Sequence, residues 1–124
     1  MSFRKDRVRL FGLIRARDGI SEDEFRTRMI ELLNAIKLLP SQSHVLKYEM
    51  AFRTSAGEQE LKDTLKHKAD SGFSSVVLME AEDNEELMKA IRDPVFLKLL
   101  DDGHETFMMH DRLEVFMTEV FSVI

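Results

Sequence analysis

The sequence predicts an α+β fold: a ferredoxin-like βαββαβ unit with a four-stranded antiparallel sheet. Three observations lead there. Four stretches alternate with the two-residue period of a strand. Two longer stretches repeat apolar residues every three or four positions, as amphipathic helices do. Their order along the chain is strand, helix, strand, strand, helix, strand, which is the split βαβ arrangement with its helices on one sheet face. The 124 residues form one domain spanning 1–124, large enough to bury about two-thirds of the unfolded surface without disulfide or metal.

Residues 7–16 read as the first strand. Val8, Leu10 and Ile14 share one face, and Phe11 and Leu13 take the other between Arg9 and Arg15. Asp18-Gly19 turns the chain. Ser21-Glu22-Asp23-Glu24 then has the Ser-x-x-Glu spacing of a capping box. Phe25, Met29, Leu32, Leu33 and Ile36 follow as one apolar helical stripe, which Pro40 ends. Residues 44–52 alternate again, with His44, Leu46, Tyr48, Met50 and Phe52 on one face. Residues 54–72 are polar and read as an insertion or mobile loop, in which Leu61 and Leu65 anchor a short helical turn. Residues 73–81 form an apolar third strand. Asp83 is placed to cap a second helix whose first turn holds Glu85 and Glu86. Asp93-Pro94 breaks that helix and opens another, which Gly103 ends. Residues 112–124 read as the last strand, with Leu113, Val115 and Met117 opposite Phe116, Thr118 and Val120.

Strands 7–16 and 73–81 carry apolar residues on both faces, while the chain supplies helices for only one. A bare apolar sheet face is unusual in a monomer. A symmetric copy packed face to face covers it, so the expected partner is a second copy in a homodimer.

Composition removes several classes of function. The chain has no cysteine, hence no disulfide, thiolate nucleophile or Cys-ligated zinc, and it fits a reducing, cytoplasmic place. The charged start lacks the pattern of a secretory signal, and no apolar run is long enough to span a membrane. The net charge is −5. Six basic residues but one acid stand in residues 1–17, so the remainder is strongly acidic and nucleic acid is a poor partner. The basic start is either a phosphate-seeking arm or a solvated strand edge. Gly-rich phosphate loop, nucleophile elbow and dinucleotide fingerprint are all missing. His104 and His110, with Glu105 and Asp111, match no zinc spacing, so no metal or cofactor is expected.

Four segments resemble the EthD-domain proteins of the dimeric α/β-barrel superfamily. They are Asp18-Gly19-Ile20-Ser21-Glu22-Asp23-Glu24-Phe25 after the first strand, Leu38-Leu39-Pro40 at the helix end, Arg92-Asp93-Pro94-Val95-Phe96, and the run from Asp101 to Phe107 before the last strand. The resemblance covers nearly the whole chain. It implies two sheets packed as a dimeric barrel, with a pocket between sheet and helices in each subunit. It also implies kinship with tetracenomycin-type cyclases and with fungal enzymes that dehydrate, cyclise or decarboxylate aromatic polyketides, usually without metal or cofactor. Many such proteins carry a histidine late in the first helix. Here Leu33 stands at that position, so a role resting on that histidine does not transfer.

The remaining acid–base candidates are the four histidines, whose unperturbed pKa lies near neutrality. His104, following Gly103 before the last strand, is the first choice as catalytic base or acid. His44 is the second, with Tyr48 on the same strand face as an orienting or proton-donating partner, roughly 13 Å away along the backbone. His67 lies in the polar loop, and His110 adjoins Asp111. Eight methionines and nine phenylalanines either fill the core or line an adaptable pocket for a hydrophobic or aromatic ligand. Two functions follow. One is a cofactor-independent lyase or cyclase acting on an aromatic or polyketide-like molecule. The other is a non-catalytic dimeric barrel that binds a small hydrophobic ligand or serves in assembly. An enzyme needs a cavity with two or more inward polar groups; a structural dimer has a filled core and solvated histidines.

Overall fold

A computed structural model describes residues 3–66, 72–109 and 114–121. Four strands form one antiparallel sheet: β1 (Phe3–Ile14), β2 (Val45–Phe52), β3 (Ser75–Ala81) and β4 (Glu114–Phe121), in the order β2-β3-β1-β4. Between them run α1 (Glu22–Lys37), a short 3-10 turn (Pro40–Gln42), α2 (Ser55–Leu65), α3 (Asn84–Ile91) and α4 (Pro94–Thr106). This is the ferredoxin-like α+β arrangement, elaborated by one extra helix and by a second crossover split in two.

Local chemistry explains the helix starts. Ser21 Oγ accepts from Glu24 N–H at 3.1 Å at the head of α1, and Asp83 Oδ1 accepts from Glu86 N–H at 2.9 Å at the head of α3. Asp93 caps α4 through Val95 N–H, with Pro94 in its first turn. Gly19, at φ +87°, makes the turn before α1 in a backbone region that side chains disfavour.

The sequence expectations are corrected at several elements. Residues 55–65 form a regular helix, not a loop, because Thr54 Oγ1 caps it by accepting from Gly57 N–H at 3.1 Å. Residues 67–71, 110–113 and 122–124 lie outside the described residues, and with them His67, His110 and the ends expected for the last strand. Gly103 does not end α4. The helix continues to Thr106, and the absence of a Cβ at Gly103 makes room for Met108, whose Cε would lie 2.4 Å from one. A bulge lies between the pairs Val45–Ala81 and Lys47–Glu80. It turns Val45 toward the helices and leaves Leu46 exposed, reversing the expected faces of these two residues.

The buried core lies between sheet and helices. Ile14, Met29, Leu32, Ile36, Val77 and Phe96 meet there, and Phe25 packs edge-on against both Phe52 and Phe107. Among the described residues no helix covers the sheet's other face. It carries the stacked pair Phe11 and Phe116, half-buried Leu13, Val76 and Leu78, and at one end Glu80, which pairs with Arg7 at 3.0 Å and Arg9 at 3.4 Å.

Candidate functional site

A cavity of about 190 Å³ lies between the sheet and helices α1 and α4. It exists because β1 has Gly12 at its centre. An added Cβ there would meet Val115 Cγ1 at 3.7 Å and Val77 Cβ at 4.0 Å, both ordinary contact distances. The sheet contributes Leu10, Val77, Met79 and Tyr48 to the wall. From α1 come Met29, Leu33 and Ile36, and from α4 Phe96, Leu97 and Leu100. Leu97 and Val115 are exposed, so the cavity is open on the side of α4 and β4. Leu33 lines the wall as well.

Among the described residues, Tyr48 is the only one to bring a side-chain oxygen or nitrogen atom to this wall. Its hydroxyl donates to Gln42 Oε1. Gln42 is buried, and its Nε2 donates to the Ala90 carbonyl at 2.8 Å and to Ser41 Oγ at 3.0 Å. Ser41 Oγ in turn donates to Asp93 Oδ2. That bond, followed by the backbone bond from Val95, holds the Asp93 carboxyl below its usual pKa. Burial raises the Tyr48 pKa well above that of a free phenol, so the hydroxyl keeps its proton at any ordinary pH. A polar relay thus runs from the cavity wall to the cap of α4, with each hydrogen committed along it.

The structure brings Tyr48 to the cavity but neither described histidine. The side chain of His44 is 71% exposed, with Nδ1 3.8 Å from Glu86 Oε2. It precedes β2 and does not share a strand face with Tyr48. His104 sits within α4, not on a turn before the last strand. Its Nδ1 lies 2.9 Å from the Met109 carbonyl; a carbonyl only accepts, so Nδ1 carries the proton in the neutral ring. Arg17 also donates to the His104 and Met108 carbonyls, and both contacts fasten the end of α4 to the rest of the molecule. His104 does not line the cavity.

Sequence reading missed Gly12 and Gln42. A glycine inside a strand pattern marks a missing side chain, and that signal was available. Nothing in Pro40-Ser41-Gln42 announces a buried amide. A second cavity, of about 210 Å³, lies near the start of α1. There Arg26 pairs with Glu22 at 2.8 Å and donates to the Arg53 carbonyl at 2.9 Å, and the Arg53 side chain pairs with Glu58 at 3.2 Å. Among the described residues no three His, Cys, Asp or Glu side chains gather as metal ligands, and no helix is long and apolar enough to cross a membrane.

No protein-family model matches the chain, and no curated protein matches it significantly. Solved structures do share its fold. A dimeric protein of unknown function with a ferredoxin-like fold from Bacteroides fragilis aligns with TM-score 0.65 at 16% identity, covering 96% of this chain and 100% of its own. Hydroxynitrile lyase from Passiflora edulis aligns with TM-score 0.65 at 12% identity, covering 98% and 99%. An ethyl tert-butyl ether D (EthD) family protein from Bacillus halodurans aligns with TM-score 0.64 at 14% identity, covering 93% and 99%. The chain has the ferredoxin-like fold of these proteins along nearly its whole length. At such identities the likeness is one of fold.

Proposed function

We propose that this chain is an EthD-like dimeric α/β-barrel protein whose sheet–helix cavity takes a small, largely apolar ligand. One observation carries the reading: among the described residues the wall holds no ionisable side chain except Tyr48, and the Tyr48 proton is committed to Gln42. Acid–base chemistry needs a proton acceptor or donor within reach of the substrate, whereas hydrophobic binding needs only a shaped apolar space. The homodimer is part of the same reading. The helix-free sheet face presents Phe11, Leu13, Leu78 and Phe116, and a second copy supplies a matching face. The description of a neighbouring structure as dimeric supports this partner.

Cofactor-independent catalysis, as a lyase or cyclase of aromatic or polyketide-like molecules, is the second reading. It is favoured by the shared fold of a hydroxynitrile lyase and by Tyr48, a protonated phenol at the wall. In that reading Tyr48 orients the substrate, and His104 or His44 acts as base only by moving to the cavity.

Two measurements on the purified chain test the leading reading. Sedimentation at micromolar concentration is expected to give twice the chain mass, and a clean monomer would remove the barrel. Saturating indane is expected to raise the melting temperature, since a ligand held by the native state alone stabilises it by mass action. An unchanged melting temperature at the solubility limit would count against the cavity.

A further inference from the structure

The cavity between sheet and helices has two unlike ends. At the closed end stand Met29, Ile36, Met79 and Met108, none more than 4% exposed. At the mouth stand Leu97 and Val115, 45% and 50% exposed. Among the described residues no charged side chain reaches the wall, whose surface is almost entirely apolar. Tyr48 does not alter this, since its hydroxyl already donates to Gln42 Oε1. A polar group carried to the closed end therefore gives up its water and finds no partner in exchange. The same group left at the mouth stays hydrated. What matters is thus where on a ligand the polar group sits, and at how many of its ends.

We propose that the cavity takes single-headed amphiphiles: molecules with one apolar end, of about one ring and a short chain, and polar groups at the opposite end only. Such a molecule enters apolar end first and leaves its head between α4 and β4. A molecule polar at both ends is rejected, because one of its ends must be buried. This rests on the ligand-binding reading above and narrows it to a class. The size follows from the volume: an apolar cavity of roughly 150 Å³ holds benzene, and this one measures about 190 Å³. The chemical nature of the head is not selected, since water and not the protein satisfies it.

The test is a cycle of four ligands titrated calorimetrically into the wild-type protein: propylbenzene, 4-propylphenol, 3-phenylpropan-1-ol and 4-(3-hydroxypropyl)phenol. Each single hydroxyl, on the ring or at the chain end, is expected to cost little, because the molecule turns to put it at the mouth. The two together are expected to weaken binding roughly tenfold beyond the sum of the single costs. Costs that simply add overturn the single-headed rule while leaving the cavity a ligand site. Absence of saturable binding by all four overturns the ligand-binding reading itself. The place of the head is read separately with 4-propylbenzoate. Relative to propylbenzene in the same protein, it is expected to bind roughly twofold to fivefold more tightly to Leu97→Lys than to wild type, and correspondingly more weakly to Leu97→Glu. An equal ratio in both variants overturns the placing of the head at the mouth. The four-ligand cycle uses wild type alone and decides the rule even where a variant does not fold.

Discussion

Gly12→Ala is expected to make the protein more stable and less able to bind a ligand. The new methyl has room, since its nearest neighbours lie at 3.7 and 4.0 Å, and Gly12 does not occupy the positive-φ region that strains an alanine. Replacing glycine at a compatible position contributes about 0.4–1 kcal/mol by restricting the unfolded chain. Burying one methyl adds about 0.8 kcal/mol. The sum, about 1–2 kcal/mol, corresponds to a rise of roughly 4–8 °C in melting temperature for a domain of this size. The same methyl occupies the floor of the cavity. A ligand that fits the wild type then suffers overpacking of about 1–3 kcal/mol, which weakens indane roughly tenfold. The assay is a thermal melt of both proteins together with an indane titration of each. A variant that is destabilised, or one that binds indane as well as wild type does, would refute the placing of an open space above Gly12.

Two further expectations concern the scaffold. Ser21→Ala removes the acceptor for Glu24 N–H and is expected to cost ~1 kcal/mol, read as a lower denaturant midpoint with an unchanged slope; an unchanged midpoint would show that this cap does not hold α1. Burial raises the Glu80 pKa, but the Arg7 hydrogen bond and the charges of Arg9, Arg7 and Lys47 together outweigh it and hold the carboxyl below its usual value. Its stabilisation is therefore complete above the unfolded carboxylate range and is lost as pH falls through the lowered folded value. Glu80→Gln should be less stable than wild type at pH 7, with the difference shrinking in acid; a constant difference between pH 7 and pH 3 would contradict the charge cluster.

The strand and helix order was legible in the sequence because the apolar periods are strong where one face is buried. Leu10 and Ile14 face the helices as their alternation requires, and Met29, Leu32 and Ile36 form the buried stripe of α1. The bulge at Leu46 was not legible, since an extra residue leaves the apolar pattern intact on either side of it. Helix α2 escaped notice because it buries no residue. Its stability comes from a cap and local pairs, such as Gln59 with Asp63 at 3.0 Å, which leave no apolar stripe. Gly103 reads as a helix stop by residue type alone. It serves instead as a gap for Met108, a tertiary reason that no local pattern carries. The candidate site was half legible. Tyr48 was placed on the correct face, but the histidines were weighed by type and position, and the register that sets His44 before its strand and His104 inside a helix follows from the fold.

The cavity itself is tested most directly by the methionine methyl groups that line it. With ¹³C-methyl labelling, Met29, Met79 and Met108 report from the wall, while Met88 on α3 lies off it. Titration with indane is expected to shift the three wall methyls along one saturable curve and to leave Met88 in place. Shifts at Met88 without shifts at the wall, or no saturable shift at any of the four, would contradict a ligand site between sheet and helices.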